Sequence, residues 1–231
     1  MPKSTLLNPL KNYQHIASAL TITDASGHFI SRMLLYRIYN MSTVLIFQRV
    51  LLFVVIYSTL LAGGNIDTFV RAAKSQIGRT TTYDPSYIKL KFPGGDIPIS
   101  RGVCTDVVVR ALRVLHIDLQ QRIYNDKKAH PSRYKSLYNS DKPDPNIDHR
   151  RVRNIQAYLA ARGYRVKGAF RPGDVVVWKL PISHLDHIGI CSNKLNHQGE
   201  PLIIHNVGAG AREEDVLRAY HIVDHFRLFR R

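Results

Sequence analysis

One stretch, Gly102 to Leu115, dominates the sequence of this 231-residue chain, and it reads GVCTDVVVRALRVL. Its apolar residues recur at helical spacing, which predicts a loop that leads into a buried helix. Thr105 and Asp106 fall in the predicted first turn, where an oxygen can cap free N–H groups and a carboxylate suits the helix dipole. Cys104 therefore lies at or just before the start of this helix.

Cys104 has two interpretations. A helix N-terminus stabilises the thiolate, which is the nucleophilic form of cysteine, so a residue in this place can be a nucleophile with a lowered pKa. Cysteine is also among the most buried residues, and this one can simply pack in the core. The pattern further along the chain favours the nucleophile.

Helical spacing also predicts an amphipathic helix over Asn65–Ile77, a polar helix over Asp118–Tyr134 and a helix over Asn154–Arg162. From residue 173 onward the pattern changes to β-branched and alternating runs. Helices followed by meandering strands are typical of an α+β domain. The predicted strands are Gly173–Trp178, His187–Ser192 and Pro201–Val207, with Tyr220–Phe229 closing the sheet.

Two histidines fall on neighbouring predicted strands. His187 opens its strand and His205 lies near the end of the next, so antiparallel pairing brings the two together. With Cys104 they can form a nucleophile, a base and an orienting group: His187 takes the thiol proton and His205 holds its tautomer. A neutral His205 gives no electrostatic help of the kind a carboxylate offers. Either histidine taken alone is better explained as an ordinary polar residue at a strand end, and it is the order of the motifs that favours a site.

Four motifs follow one another along the chain, Val103–Asp106, Gly173–Trp178, His187–Ile190 and Ile203–Asn206. In this order they resemble the NlpC-type cysteine peptidase superfamily, whose papain-like α+β fold packs N-terminal helices on a small antiparallel sheet. That resemblance implies cleavage of amide bonds in bacterial cell-wall peptides, with Cys104 as nucleophile, His187 as base and His205 as third residue. Thr105-Asp106 replaces the usual Ser-Gly, so we expect a different wall beside the nucleophile.

A closer resemblance, over roughly Gln76 to Arg227, is to the YijF-type family of exported bacterial proteins, a domain of unknown function. The family name supplies no chemistry, so the expected activity rests on the broader NlpC-type resemblance. The shared stretches are Thr82–Tyr87, Pro93–Asp96, Gly102–Val107, Asn146–Arg151 and His205–Gly208.

Substrate-binding residues are expected around the nucleophile loop. Arg binds carboxylates in a bidentate manner, so the run from Asp148 to Arg150 is the best candidate for recognising a substrate carboxylate. The same run is explained equally well as a solvated helix start. The Tyr-Asp-Pro turn at Tyr83 is explained equally well as a structural turn with no role in binding. The predicted set is Tyr83, Asp84, Asp106, Asp148, His149, Arg150 and Trp178.

Three alternatives compete with a thiol hydrolase. In an exported protein a Cys104–Cys191 disulfide would forbid thiolate catalysis. A non-catalytic wall-binding domain would need only the positive charge of the chain. A zinc hydrolase would need three protein ligands and an open position, and the candidate ligands are His149, His184, Asp186, His187 and His205.

Charge narrows the expected partners. The chain has 33 Lys and Arg against 17 Asp and Glu, a net charge of +16, which favours nucleic acid, an anionic envelope or an acidic substrate. The sequence contains no recognisable nucleic-acid-binding module. The NlpC-type resemblance implies peptidoglycan or its peptide fragments as partner, and we expect no nucleic acid, no cofactor and a monomeric protein.

The N-terminal region predicts export. Val50–Ala62 is an apolar run behind Arg49, too short for an ordinary membrane span, and Ala62-Gly63-Gly64 offers small residues for signal-peptidase cleavage. We predict a signal peptide over 41–64, or alternatively a retained membrane anchor, with 1–40 an upstream extension or mis-called start. Residues 65–231 then form a single NlpC-like catalytic domain, periplasmic or secreted, with no stable membrane span after cleavage.

Overall fold

The computed structural model describes residues 43–52, 64–135, 142–181 and 183–229. Helix α1, residues 43–52, has exposed side chains and belongs to one compact unit, Met1–Tyr57, while all other elements belong to a second, Ser58–Arg231. Within the described residues, no helix combines the length and apolar character needed to cross a bilayer. Segment 1–40 and most of the apolar run lie outside the described residues.

In the second unit all helices precede the strands of the main sheet, as predicted, and only two short strands, Thr82–Tyr83 and Arg101–Gly102, come earlier, which confirms the mixed α+β class. Short 3₁₀ turns occupy Pro131–Arg133 and Asp148–Arg150. The helices are α2 (64–74), α3 (Cys104–Arg113), α4 (Leu119–Ala129) and α5 (Val152–Ala161). The strands are β1 (Thr82–Tyr83), β2 (Arg101–Gly102), β3 (Val175–Lys179), β4 (Asp186–Leu195), β5 (Pro201–Asn206), β6 (Ala211–Glu214) and β7 (His221–Phe226).

The main sheet has five antiparallel strands in the order β6-β5-β4-β3-β7. Ile190 of β4 pairs with Val175 of β3 on one side and with Ile204 of β5 on the other. The prediction that the three central strands are antiparallel neighbours is therefore confirmed. Strand β6 was not predicted, because its sequence, AREE, has no apolar alternation.

Helix α3 packs on one face of this sheet and fixes the position of Cys104. Val107, Val108 and Leu112 have no exposed surface, and they join Ile188 and Ile204 in the main core. Burying a side chain of this size stabilises the fold by roughly 1.5–3 kcal/mol. The opposite face of the sheet carries a smaller core of Val176, Trp178, Cys191, Ile203 and Leu217.

Candidate active site

Cys104 is the first residue of α3, as the sequence predicted, and is 5% exposed. The preceding Val103 is extended, and its N–H donates to Oδ2 of Asp106 at 2.7 Å. The carboxylate in the first turn therefore caps the N–H that precedes the helix, while helix geometry leaves the N–H groups of Cys104 and Thr105 without intrahelical acceptors.

The loop before Cys104 is tied to the sheet. Gly102 pairs with Tyr83 in the short parallel β1–β2 ladder. Its carbonyl oxygen also accepts a 2.9 Å hydrogen bond from Nδ2 of Asn206, which is completely buried at the end of β5. Because Asn206 directly follows His205, one strand end positions both the nucleophile loop and the second histidine.

His187 and His205 form a buried pair, as expected from adjacent strands. Nε2 of His187 lies 2.8 Å from Nδ1 of His205, and the two residues are 3% and 1% exposed. The ring of Trp178 lies 5.8 Å from that of His187. Nε2 of His205 lies 2.9 Å from Oε2 of Glu214, a residue that the sequence analysis did not identify.

Cys104 and His187 both line one open groove of about 730 Å³. The lining of the groove also includes two exposed tyrosines, Tyr83 and Tyr87, and Leu185 from the β3–β4 loop. His205 lies behind His187 and does not line the groove. The arrangement places a thiol and an imidazole beside any chain that lies along it.

The pKa values of Cys104 and His187 differ from those expected for a thiol that is activated at a helix start. Burial raises the pKa of the Cys104 thiol to about 12, Asp106 acts the same way, and backbone N–H groups, that of Ile188 first, act against it. Burial, together with His205, lowers the pKa of His187 to about 3. The expectation of a thiolate with a lowered pKa is thus not supported, and the pair is neutral near pH 7.

The second histidine and the groove tyrosine are also shifted by their surroundings. Burial lowers the pKa of His205, while its hydrogen bond to Glu214 acts in the opposite direction. Burial raises the pKa of Tyr83 to about 12, and the proximity of Cys104 adds to the shift. The Tyr83 hydroxyl is therefore a proton donor beside the nucleophile.

Arg150 lines the groove, but its guanidinium is engaged inside the protein. It pairs with Asp106, from 3.1 Å, and donates to the carbonyl oxygens of Asp84 and Ser86 at 2.7 and 2.9 Å. Both charged side chains of the pair are nearly inaccessible, at 2% and 4% exposed. This Asp106–Arg150 clamp joins helix α3 to the segment that follows Tyr83, and the predicted contact of Arg150 with a substrate carboxylate stays a prediction.

The structure gives other predicted substrate-binding residues different places. Asp148 is buried against Lys127 at 3.0 Å, and His149 is buried next to it. Trp178 is buried in the smaller core, where its indole N–H donates to the carbonyl oxygen of Leu217 at 3.0 Å. Among the predicted set, Tyr83 and Arg150 line the groove, while Asp84, Asp106, Asp148, His149 and Trp178 do not.

Two of the alternative hypotheses can be compared with these positions. Cys104 and Cys191 are both free and buried, on opposite faces of the sheet, so the proposed disulfide is not formed. Across the described ranges, no three His, Cys, Asp or Glu side chains are grouped as a metal ion requires. The zinc hypothesis therefore finds no ligand set there.

A family comparison covers the whole of this site. Residues 70–228 match the model for a domain of unknown function, DUF1287. The chain belongs to this family. It is also 43% identical over 162 residues to the "Uncharacterized protein YijF" of Escherichia coli (strain K12), with 68% of this chain and 78% of that protein covered. The YijF-type resemblance is thereby confirmed, and no solved structure matches the chain.

Proposed function

We propose that this DUF1287 protein is an exported thiol hydrolase, an amidase or endopeptidase that cleaves amide bonds in peptidoglycan peptides. The observation that carries the proposal is that Cys104 and His187 line one groove and that His187 is hydrogen-bonded to the buried His205. The NlpC-type resemblance of the motifs supplies the papain-like fold and the substrate class. The mechanism requires no cofactor.

The neutral pair acts by general-base catalysis. As the Cys104 sulfur attacks the amide carbon, the thiol proton passes to Nδ1 of His187 and the carbonyl π electrons move to oxygen. Collapse of this intermediate breaks the C–N bond, and the leaving amine takes the proton from His187. Water, deprotonated by His187, then hydrolyses the Cys104 thioester and returns both groups to the neutral state.

Two donors beside the nucleophile can stabilise the oxyanion. The N–H of Cys104 lies at the open start of α3 and the hydroxyl of Tyr83 lies in the same groove. Donors aimed at the developing negative charge contribute roughly 3–4 kcal/mol each to transition-state stabilisation. They also explain why a buried, neutral thiol suffices for this chemistry.

The proposal is tested with defined peptidoglycan fragments and mass measurement of the products. Full-length protein should release fragments, Cys104→Ala should release none, and Cys191→Ala, the buried cysteine on the other face, should behave like wild type. A chelator should have no effect. Activity that survives Cys104→Ala but not the chelator would favour a zinc hydrolase, and binding without turnover would favour a wall-binding domain.

Export is a separate part of the proposal and rests on the apolar run Val50–Ala62. We infer that the mature protein begins near Asn65 and works in the periplasm or outside the cell. N-terminal sequencing of protein from the envelope fraction tests this, and an intact N-terminus there would instead indicate a retained anchor. Recovery of residues 1–64 on cytosolic protein would contradict export.

A further inference from the structure

The buried histidine pair leads to a carboxylate on the neighbouring strand. His205 pairs with Arg212 across β5 and β6, which brings Glu214, two residues along the same face, to 2.9 Å from Nε2 of His205. The side chain of His205 is 1% exposed and that of Glu214 is 36% exposed. The three groups form a continuous line from the groove to the edge of the sheet.

The hydrogen bond to Glu214 determines which ring nitrogens of His205 and His187 carry a proton. A carboxylate only accepts hydrogen bonds, so the proton between Glu214 and His205 is carried by Nε2 of His205. In a neutral imidazole the other nitrogen is then an acceptor, and Nδ1 of His205 must receive Nε2–H of His187. Nδ1 of His187 is thereby left without a proton.

We propose that Glu214 is a positioning residue that fixes the tautomers of both histidines and so keeps Nδ1 of His187 unprotonated. Its catalytic consequence rests on the proposed function, because the free Nδ1 is the atom that would take the thiol proton. When it does so, the proton stays on His187, and the Glu214 carboxylate balances the charge of the imidazolium through His205. Glu214 therefore supplies the electrostatic help that a neutral third histidine lacks.

The adjacent acidic residue provides a matched control. Glu213 precedes Glu214 on β6, so its side chain points to the other face of the sheet. There it contacts Ser192 and pairs with Lys74 at 2.8 Å and Lys194 at 3.0 Å. Removing its carboxylate leaves the His187–His205–Glu214 line intact.

Nitrogen-15 NMR of histidine-labelled full-length protein at pH 7 tests the inference directly, because it reports which ring nitrogen carries the proton. In wild type, His187 and His205 should both be protonated at Nε2. Glu214→Leu should give mixed tautomers at both rings. Glu214→Gln, whose amide oxygen still accepts from His205, should retain the wild-type tautomers without the charge, and Glu213→Leu should leave the spectrum unchanged.

Kinetics on wall fragments give the second readout. Glu214→Leu should lower kcat about 100-fold, in the range that a general base contributes, with KM within about twofold. Glu214→Gln should recover part of this loss. Wild-type tautomers in Glu214→Leu would overturn the inference whether or not the enzyme is active. If wild type showed the expected tautomers but cleaved no wall fragment, the proposed function would be contradicted, while the effect of Glu214 on the tautomers would still be supported.

Discussion

Gly189 on β4 lies directly against His205 on β5. A β-carbon at position 189 would stand 3.1 Å from Cβ of His205 and 2.7 Å from Cγ2 of Ile203, both closer than side chains normally approach. The absence of a side chain at this position is what lets His205 lean across β4 and reach His187. The glycine of the His-Ile-Gly-Ile motif is thus a packing requirement of the histidine pair.

Gly189→Ala should therefore damage the site more than the fold. Overpacking of this kind costs roughly 1–3 kcal/mol of folding free energy, and displacement of His205 should break its 2.8 Å contact with His187. We expect a modest loss of stability by urea denaturation and a fall of at least tenfold in kcat. Gly199→Ala is the control, since Gly199 has a positive φ but no neighbour within 4 Å. It should lose stability and keep its activity.

The sequence predicted the parts of this site that depend on local periodicity. Helical spacing placed Cys104 at a helix start, and β-branched runs placed His187 and His205 on adjacent antiparallel strands. Both patterns are set by residues within a few positions of each other. That is why they can be recognised without knowing the rest of the fold.

Contacts between distant segments could not be predicted in this way. Arg150 reads as part of a polar run, yet its partners Asp106 and Asp84 lie 44 and 66 residues away. Glu214 lies on a strand without apolar alternation, and its contact with His205 depends on the β5–β6 register. Asn206 could have been identified from the sequence as a site residue, because it directly follows His205 within a stretch shared with the family.

The Asp106–Arg150 clamp should be a large contributor to stability. Removing one partner of a buried ion pair leaves an uncompensated charge, so Arg150→Ala should cost about 3–5 kcal/mol. Arg150→Lys should recover only part of this stability, because an ammonium group lacks the fork geometry with which the guanidinium reaches Asp106 and the carbonyl oxygens of Asp84 and Ser86 together. Denaturation curves of the variants measure the effect.

A control for the clamp is the pair Lys194–Glu213, in which the Lys194 side chain is 66% exposed and the Glu213 side chain 10% exposed, with Lys74 as a second partner of Glu213. Lys194→Ala should cost no more than about 1 kcal/mol. If Arg150→Ala lost no more folding free energy than this control and raised only KM, the result would indicate that Arg150 binds substrate and does not stabilise the fold.

Asn206→Ala should loosen the nucleophile loop. The substitution removes one of two donors to the carbonyl oxygen of Gly102, which still accepts a 3.1 Å hydrogen bond from the N–H of Asp84, so it should cost roughly 0.5–1.5 kcal/mol of folding free energy. Because the same carbonyl stands two residues before Cys104, turnover should fall in parallel with His205 still in place. Unchanged turnover, measured where the variant is fully folded, would show that the loop does not need this tie.

Alkylation of Cys104 should follow the chemistry of a neutral thiol. With the pKa of Cys104 raised to about 12 and that of His187 lowered to about 3, neither group is charged at pH 7. The rate of reaction with iodoacetamide, followed by mass in a Cys191→Ala background, should rise steadily from pH 7 to pH 10. A constant rate between pH 5 and pH 8 would instead reveal a preformed thiolate–imidazolium pair.

Acid should destabilise the protein through its buried histidines, and His149 isolates one of them. It is 2% exposed, its Nδ1 has no hydrogen-bond partner, and it does not line the groove. Burial lowers its pKa to about 4, with Arg113 and Arg150 acting in the same direction and the carboxylates of Asp118 and Asp96 acting against it. Protons therefore bind the unfolded chain more readily than the native protein between about pH 6.5 and pH 4.

Because the pKa of His149 is lower in the native protein than in the unfolded chain, folding stability falls as the pH falls. The contribution of His149 is complete above about pH 6.5 and is lost as the pH falls toward 4, which amounts to about 2 kcal/mol by pH 5. His149→Leu removes an unpaired buried polar group, so it should cost little at pH 7 and should reduce the stability loss between pH 7 and pH 5 by that amount. Urea denaturation at the two pH values measures both quantities. An equal loss in wild type and variant would show that His149 is already protonated, or exposed, in the native protein.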